Sequence, residues 1–151
     1  ERHHFLEFPS KSVGVLVENN ANQLLLVEAY RYVTGYVEWE IPAGHIDDGE
    51  TVLAAAEREV SEEGGCTTTG HRLVYSFYPI PGIGDALHHV VYCRATSEGA
   101  DFDRSEVRSV RWFTRSELQS LLDAKALHDG YTVTALLMWL GGMASSLTID
   151  N

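Results

Sequence analysis

Val13, Val15 and Val17 alternate with smaller or apolar partners, which predicts a β-strand over residues 12–18. Asn19-Asn20-Ala21-Asn22 reads as a turn, and residues 23–32 return as a second strand, so a hairpin is expected. Val37–Ile41 is a short strand stopped by Pro42, and residues 42–50 read as a loop. Further strands are predicted over 72–78, 87–94 and 107–113. Residues 51–63 contain no Gly or Pro and are rich in alanine; Gly64-Gly65 is their stop signal, so a helix is expected there. Residues 116–122 and 131–143 read as two more helices. The order implies an α/β fold, a sheet with helices packed on it. No repeat or long linker divides the chain. One domain over 12–145 is expected, between an N-terminal segment 1–11 and a C-terminal tail 146–151.

The chain has 151 residues, enough to bury a core of its own. Lys and Arg number 11 against 22 Asp and Glu, a net charge of 11 − 22 = −11. That charge argues against nucleic acid as a partner, since binding it needs a basic footprint. An anionic small molecule would need a local basic group, a helix N-terminus or a bound cation. Cys66 and Cys93 match no zinc spacing and read as two reduced thiols, which points to a cytoplasmic setting. No apolar run approaches the ~20 residues of a membrane span, and no secretory signal pattern is present. The first residue is Glu1 rather than Met, so the natural N-terminus is expected upstream.

The helix over 51–63 carries a contradiction. At about 100° per residue, Val52, Leu53, Ala56 and Val60 form one stripe that should face the core. Glu63 falls inside that stripe, Glu59 just beyond its edge and Glu62 beside Glu59. All three stand at the C-terminal end, where the helix dipole disfavours negative charge. Burying uncompensated carboxylates costs several kcal/mol each. A divalent cation resolves the conflict, because hard cations such as Mg²⁺ take carboxylate oxygens and substrate phosphates together. A solvated acidic face is the bland alternative.

The residues around the helix decide between them. Gly44, five residues, Glu50, seven residues, then Arg58-Glu59-Val60-Ser61-Glu62-Glu63-Gly64-Gly65-Cys66 fits the pattern G-x5-E-x7-R-E-U-x-E-E-x-G-U, where U is bulky and apolar. Cys66 is a weak member of the last class. Seven fixed positions would coincide by chance roughly once in a million chains or less. The segment resembles the box of Nudix hydrolases. That resemblance implies an α/β/α sandwich with a mixed sheet and a loop–helix–loop catalytic motif. It implies hydrolysis of a nucleoside diphosphate linked to another moiety, with Mg²⁺ or Mn²⁺ as cofactor. It also implies Glu59 and Glu63 as principal metal ligands, Glu62 direct or through water, and the Ala43 carbonyl as a further ligand. Glu50 and Arg58 would pair and hold the carboxylates in place.

Tyr75–Asp85, with Pro81 sixteen residues past Gly65, is similar to the ADP-ribose pyrophosphatase subgroup, as are Trp39–Gly44 and Tyr30-Arg31-Tyr32. On that likeness Arg31 reaches a phosphate or terminal ribose, and Trp39, Pro81 and Asp85 stand at the substrate. A rigid turn explains the proline segment equally well. The subgroup often has a basic residue near Glu28, an acidic one at Ala86, and a longer N-terminal region than Glu1–Pro9. A homodimer and the products AMP and ribose 5-phosphate are the subgroup's expectation. Glu106, on a loop over 99–106 that could close on the substrate, matches the position of a catalytic base, with Glu62 the next candidate. His88 and His89 face opposite sides of a strand and read as structural or surface residues. Tyr30, Tyr32, Tyr36 and Trp39 either stack a nucleobase or fill strand faces. The rival readings are a nucleotide-sugar or nucleoside triphosphate pyrophosphatase, and a module that senses ADP-ribose without cleaving it.

Overall fold

Val13, Val15 and Val17 point into one apolar cluster and Leu16 into a second, so the first strand is covered on both faces. The same division separates Leu25 from Leu24 and Leu26, and Val91 and Cys93 from Val90 and Tyr92. Two-sided burial explains why these strands read as nearly unbroken apolar runs. A computed structural model describes residues 4–97 and 101–144. Its strands are β1 (Ser12–Glu18), β2 (Leu24–Arg31), β3 (Tyr36–Glu40), β4 (Ala43–His45), β5 (Thr68–Phe77), β6 (His88–Ala95) and β7 (Val107–Phe113). The helices are α1 (Val52–Gly64), α2 (Arg115–Asp123) and α3 (Gly130–Leu140).

The sheet runs β3-β2-β1-β6-β5, with β4 paired to β1 and β7 to β2. β1 and β6 are parallel and the other pairs antiparallel. α1 covers the Val13–Val15–Val17 face through Ala55, Ala56 and Val60; residues of α2 and α3 cover the other through Leu118, Leu136 and Trp139. The expected mixed α/β sandwich is therefore observed. Among the described residues no helix is long and apolar enough to cross a membrane. Cys66 and Cys93 are both buried.

Two local expectations change. Residues 43–45 are not loop but a three-residue strand, with Ser12, Val13 and Gly14 opposite His45, Gly44 and Ala43. So short a segment, with a glycine at its centre, carries no alternation to read. The buried face of α1 is also rotated from the predicted stripe: Ala55, Ala56, Glu59, Val60, Glu63 and Gly64 are inside, while Leu53 is 40% exposed. Small Ala55 and Ala56 let this face of the helix lie against the sheet, with Glu59 buried on the same side. Thr51 caps the helix by accepting the Ala54 N–H, and Gly65 ends it at φ 62.

His88 and His89 are both buried rather than at the surface, His88 at 1% exposure. His88 stacks on Tyr131 and its Nδ1 lies 2.8 Å from Ser12 Oγ. Burial holds its pKa down to about 4, against the weaker opposing pull of Asp129. The folded protein therefore keeps His88 neutral where the unfolded chain, titrating near 6.5, takes up a proton. Its share of the stability is complete above about pH 6.5 and is lost as the pH falls towards 4, to an extent of up to about 3 kcal/mol. His89, lowered first by burial and then by Lys11, acts in the same direction. Urea unfolding of wild type and His88→Phe at pH 7.5 and 5 measures the effect. The variant is expected to lose clearly less stability on acidification; equal losses would remove His88 as a cause.

Candidate active site

Glu59 and Glu63 are only 7% and 9% exposed, under the short strand β4. Gly44 is what allows this. A Cβ on Gly44 would stand 2.0 Å from Glu59 Oε1, so only glycine lets the carboxylate lie against that backbone. Glu63 Oε2 accepts the Ala43 N–H at 2.8 Å. Glu62, one residue before, is half exposed on the flank.

Arg58 ties the cluster together. Its Nε and Nη2 donate to the two oxygens of Glu50 at 3.1 and 3.0 Å. Nη1 donates to Glu59 Oε1 at 2.7 Å and Glu62 Oε2 at 3.2 Å, and Nη2 also reaches the His45 carbonyl at 2.9 Å. The bidentate grip on Glu50 uses the fork geometry that lysine lacks. It holds the Glu50 carboxyl below its ordinary pKa, helped by the Asp47 N–H. The Glu50–Arg58 pair expected from the box is thus present, and its partners extend across the site.

Burial pushes the Glu59 pKa up despite Arg58. It pushes Glu63 up to about 7, because the Ala43 N–H offsets little of the desolvation and Glu59 adds repulsion. Glu106 adds to the negative field at both, which brings its loop to the same side of the molecule. The loop's C-terminal half is anchored where Asp103 N–H donates to the Glu62 carbonyl at 2.7 Å. Asp103 Oδ1 is engaged by the Ser105 N–H and hydroxyl at 2.8 and 2.6 Å, whereas Glu106 is exposed and its side chain makes no hydrogen bond among the described residues. Gly99 and Ala100 of this loop lie outside the described residues.

Among the described residues no three His, Cys, Asp or Glu side chains converge into a ready cage for a metal ion. The reason is visible: Arg58 draws Glu59 and Glu62 towards itself, and Glu63 is turned to Ala43. The residues nevertheless fit a hard divalent cation. They are oxygen donors, two are buried without full compensation, and Mg²⁺ takes few protein ligands.

A cleft of about 260 Å³ starts at Ala43 and Gly44, passes Arg31 and Glu40, and ends at His88 and Tyr131. Arg31, Glu40 and Asp129 also border a second cavity, of about 490 Å³, lined by Tyr30, Tyr32 and Tyr36. Arg31 borders both, but its Nε lies 3.0 Å from each oxygen of Glu40 and its Nη2 joins the same carboxylate. The three tyrosines are exposed at this cavity instead of filling a core. Trp39 is elsewhere: it packs edge-on to Phe113 in the α2–α3 cluster, on the other side of β3 from Glu38 and Glu40. Pro81 is exposed, and Asp85 Oδ1 accepts the Phe8 N–H at 2.8 Å, with Leu6 bridged to Gly84. Residues 6–8 thus lie on the 80–85 turn. Glu38, His128 and Asp129 border the large cavity and were not signalled by the sequence. Asp129 is the N-cap of α3, and its Asp-Gly setting reads simply as a turn.

The carboxylate cluster of α1, gripped by Arg58, thus stands close to the Ala43–Gly44 end of a cleft in an α/β/α sandwich. Residues 9–136 match the NUDIX domain, and the chain belongs to the Nudix hydrolase family, whose members generally use divalent metal ions. It is 28% identical over 144 residues to a CMP-5'-(N-acetyl-N-hydroxy-3-aminopropyl)phosphonate hydrolase of Streptomyces rubellomurinus, covering 92% of this chain and 68% of that one. It is 28% identical over 128 residues to an ADP-ribose pyrophosphatase of Bacillus subtilis, covering 83% and 69%. A crystal structure of an ADP compounds hydrolase has the same fold, with a TM-score of 0.77 at 23% identity, covering 90% of this chain and 75% of that one.

Gly44→Ala tests the packing of the cluster. The added methyl displaces the Glu59 carboxylate, and misplacement by about 1 Å costs on the order of 100-fold in rate. Turnover should fall by that order while the circular dichroism spectrum stays native. Unchanged turnover would show that Glu59 need not lie against this backbone.

Proposed function

We propose that this protein hydrolyses the diphosphate bond of ADP-ribose or a closely related nucleoside diphosphate conjugate, giving AMP and ribose 5-phosphate from ADP-ribose. The observation that carries the reading is a pair of adjoining hollows that share Arg31, Glu40 and Asp129, one bordered by Ala43 and Gly44 and the other by the tyrosines. Their arrangement suits a molecule with its diphosphate at Ala43 and Gly44 and a further moiety past Arg31. Two relatives named for nucleotide conjugates support the same substrate class.

Glu59 and Glu63, with Glu62 direct or through water and the Ala43 carbonyl, would hold Mg²⁺ or Mn²⁺. A bound divalent ion there supplies charge neutralisation for the diphosphate and lowers the pKa of water. Arg58 and Glu50 orient the carboxylates. Arg31 has Nη1 free of the Glu40 contacts and offers it to a phosphate oxygen. Glu106 Oε accepts the proton of the attacking water. Asp103 is a poorer candidate because the Ser105 N–H and hydroxyl already engage one of its two oxygens, Oδ1.

Steady-state hydrolysis of ADP-ribose, GDP-mannose and ATP with Mg²⁺ and with Mn²⁺ tests the substrate. ADP-ribose is expected to have the highest kcat/KM, and a clear preference for ATP would discard the reading. Glu59→Gln and Glu63→Gln should each lower kcat by on the order of 100-fold or more with the fold retained. Near-normal turnover in both would remove α1 from catalysis. Glu106→Gln should reduce kcat by about 100-fold or more with little change in KM, as for a group acting in the transition state. Asp101→Asn and Asp103→Asn should matter less. If Asp103→Asn were the damaging change, the base would be misplaced; if all three stay active, Glu62 becomes the candidate.

A further inference from the structure

The large cavity past Arg31 has a chemistry of its own. One wall is a flat stack: Tyr36 and His128 lie with ring centroids 4.5 Å apart and planes 5° apart. Behind that wall sits Glu38, 9% exposed, a carboxylate on the inner side of β3. Its Oε2 accepts the His128 backbone N–H and lies 3.3 Å from His128 Nδ1. Its Oε1 has no protein donor among the described residues. Asp129 is built the same way. Oδ2 is fixed by the Thr132 N–H at 2.8 Å, and Oδ1 has no protein donor among the described residues. Asp129 borders both this cavity and the cleft that leads to Gly44.

The balance of charge is one-sided. Arg31 is the single Lys or Arg at the cavity, and Glu40 already neutralises it through three contacts. Glu38 and Asp129 are left over, so the lining carries +1 − 3 = −2 with His128 neutral. Ionised carboxylates accept hydrogen bonds and donate none. Their orientation is fixed by backbone N–H groups, so they stay in place as a ligand enters. A flat ring or hydroxyl-bearing sugar fits the wall and supplies donors to the two free oxygens. A phosphate group brings neither donors nor a compatible charge.

We propose that Glu38 and Asp129 determine specificity. They make this cavity a site for a neutral moiety rich in O–H or N–H donors, and they exclude the same conjugate when it carries a further phosphate there. The inference rests on the reading of the cleft as the site of a nucleoside diphosphate conjugate and narrows it to conjugates whose remote end is unphosphorylated. Repulsion from two carboxylates at a partly screened site corresponds to discrimination of about 10-fold to 100-fold.

The test compares ADP-ribose with ADP-ribose bearing a phosphate monoester on its terminal ribose and with ADP-ribose bearing one on its adenosine ribose. It uses wild type, Glu38→Gln, Asp129→Asn and the double variant. Both kcat/KM and equilibrium binding by calorimetry are measured, with circular dichroism as a check on folding. Wild type should prefer ADP-ribose to at least one of the phosphorylated forms by about 10-fold or more. The double variant should shrink that ratio several-fold and raise KM for ADP-ribose. A wild type that treats all three alike, or a ratio unchanged in a folded double variant, overturns the proposal. If none of the conjugates is hydrolysed, the pyrophosphatase reading fails while the binding ratios still decide the cavity. Binding of none of them overturns both. If the double variant does not fold, the two single variants are compared by the same ratio.

Discussion

The site depends on burying two carboxylates between a helix and a sheet. Glu59 and Glu63 occupy positions of α1 that face protein, next to Ala55, Ala56 and Val60. A fully apolar helix face would cost nothing comparable, since uncompensated buried charge is strongly unfavourable. The structure offsets the cost in three ways. Arg58 spreads one guanidinium over Glu50, Glu59 and Glu62. The Ala43 N–H serves Glu63. Gly44 leaves the space in which Glu59 lies. None of these fully restores the ordinary state of the carboxylates, because both keep raised pKa values. The strain is electrostatic and sits where a divalent ion would relieve it.

That arrangement needs a rigid frame, and β1 provides it. The strand is hydrogen-bonded to β6 on one side and to β4 and β2 on the other, and it is covered on both faces. Because Ala43, Gly44 and His45 are paired in register with β1, the backbone groups that meet Glu59 and Glu63 belong to the sheet. A site carried on paired strands holds its geometry better than one on a free loop. Gly14 extends the same logic inward. A Cβ there would come within 2.6 Å of Ile41 Cδ1, so the second glycine lets Ile41 close the core immediately before Pro42 and the site.

How far the sequence could be read follows from the range of the interactions involved. Six of the seven strands and all three helices follow from alternation, caps and breakers, because those signals are local. β4 is absent from that reading because its pairing with β1 is a tertiary fact. The glutamates and Arg58 were legible because all lie within one helical stretch at fixed spacing. The exact burial of Glu59 was not, since it depends on how α1 is rotated against the sheet. Trp39 shows the limit of a residue-type argument: an aromatic beside the motif suggests a ligand, but its strand position turns it to Phe113. Glu38 and Asp129 are brought to one cavity where the segment ahead of α3 meets β3, across some ninety positions of sequence. No local pattern could have joined them.

The distribution of charge along the cleft is the last step. Arg31, at the cleft, is committed to Glu40, and Arg58, on α1, to Glu50, Glu59 and Glu62. With a net charge of −11 behind them, these side chains give an anionic diphosphate little attraction of their own. Positive charge must therefore arrive with the ligand or as a bound cation. A divalent ion bound at the carboxylate cluster, as proposed above, would do both tasks at once: it would relieve the buried glutamates and provide the charge that a diphosphate needs. Affinity for substrate and stability of the site are then linked through the same ion, since whatever binds only the assembled cluster also stabilises it.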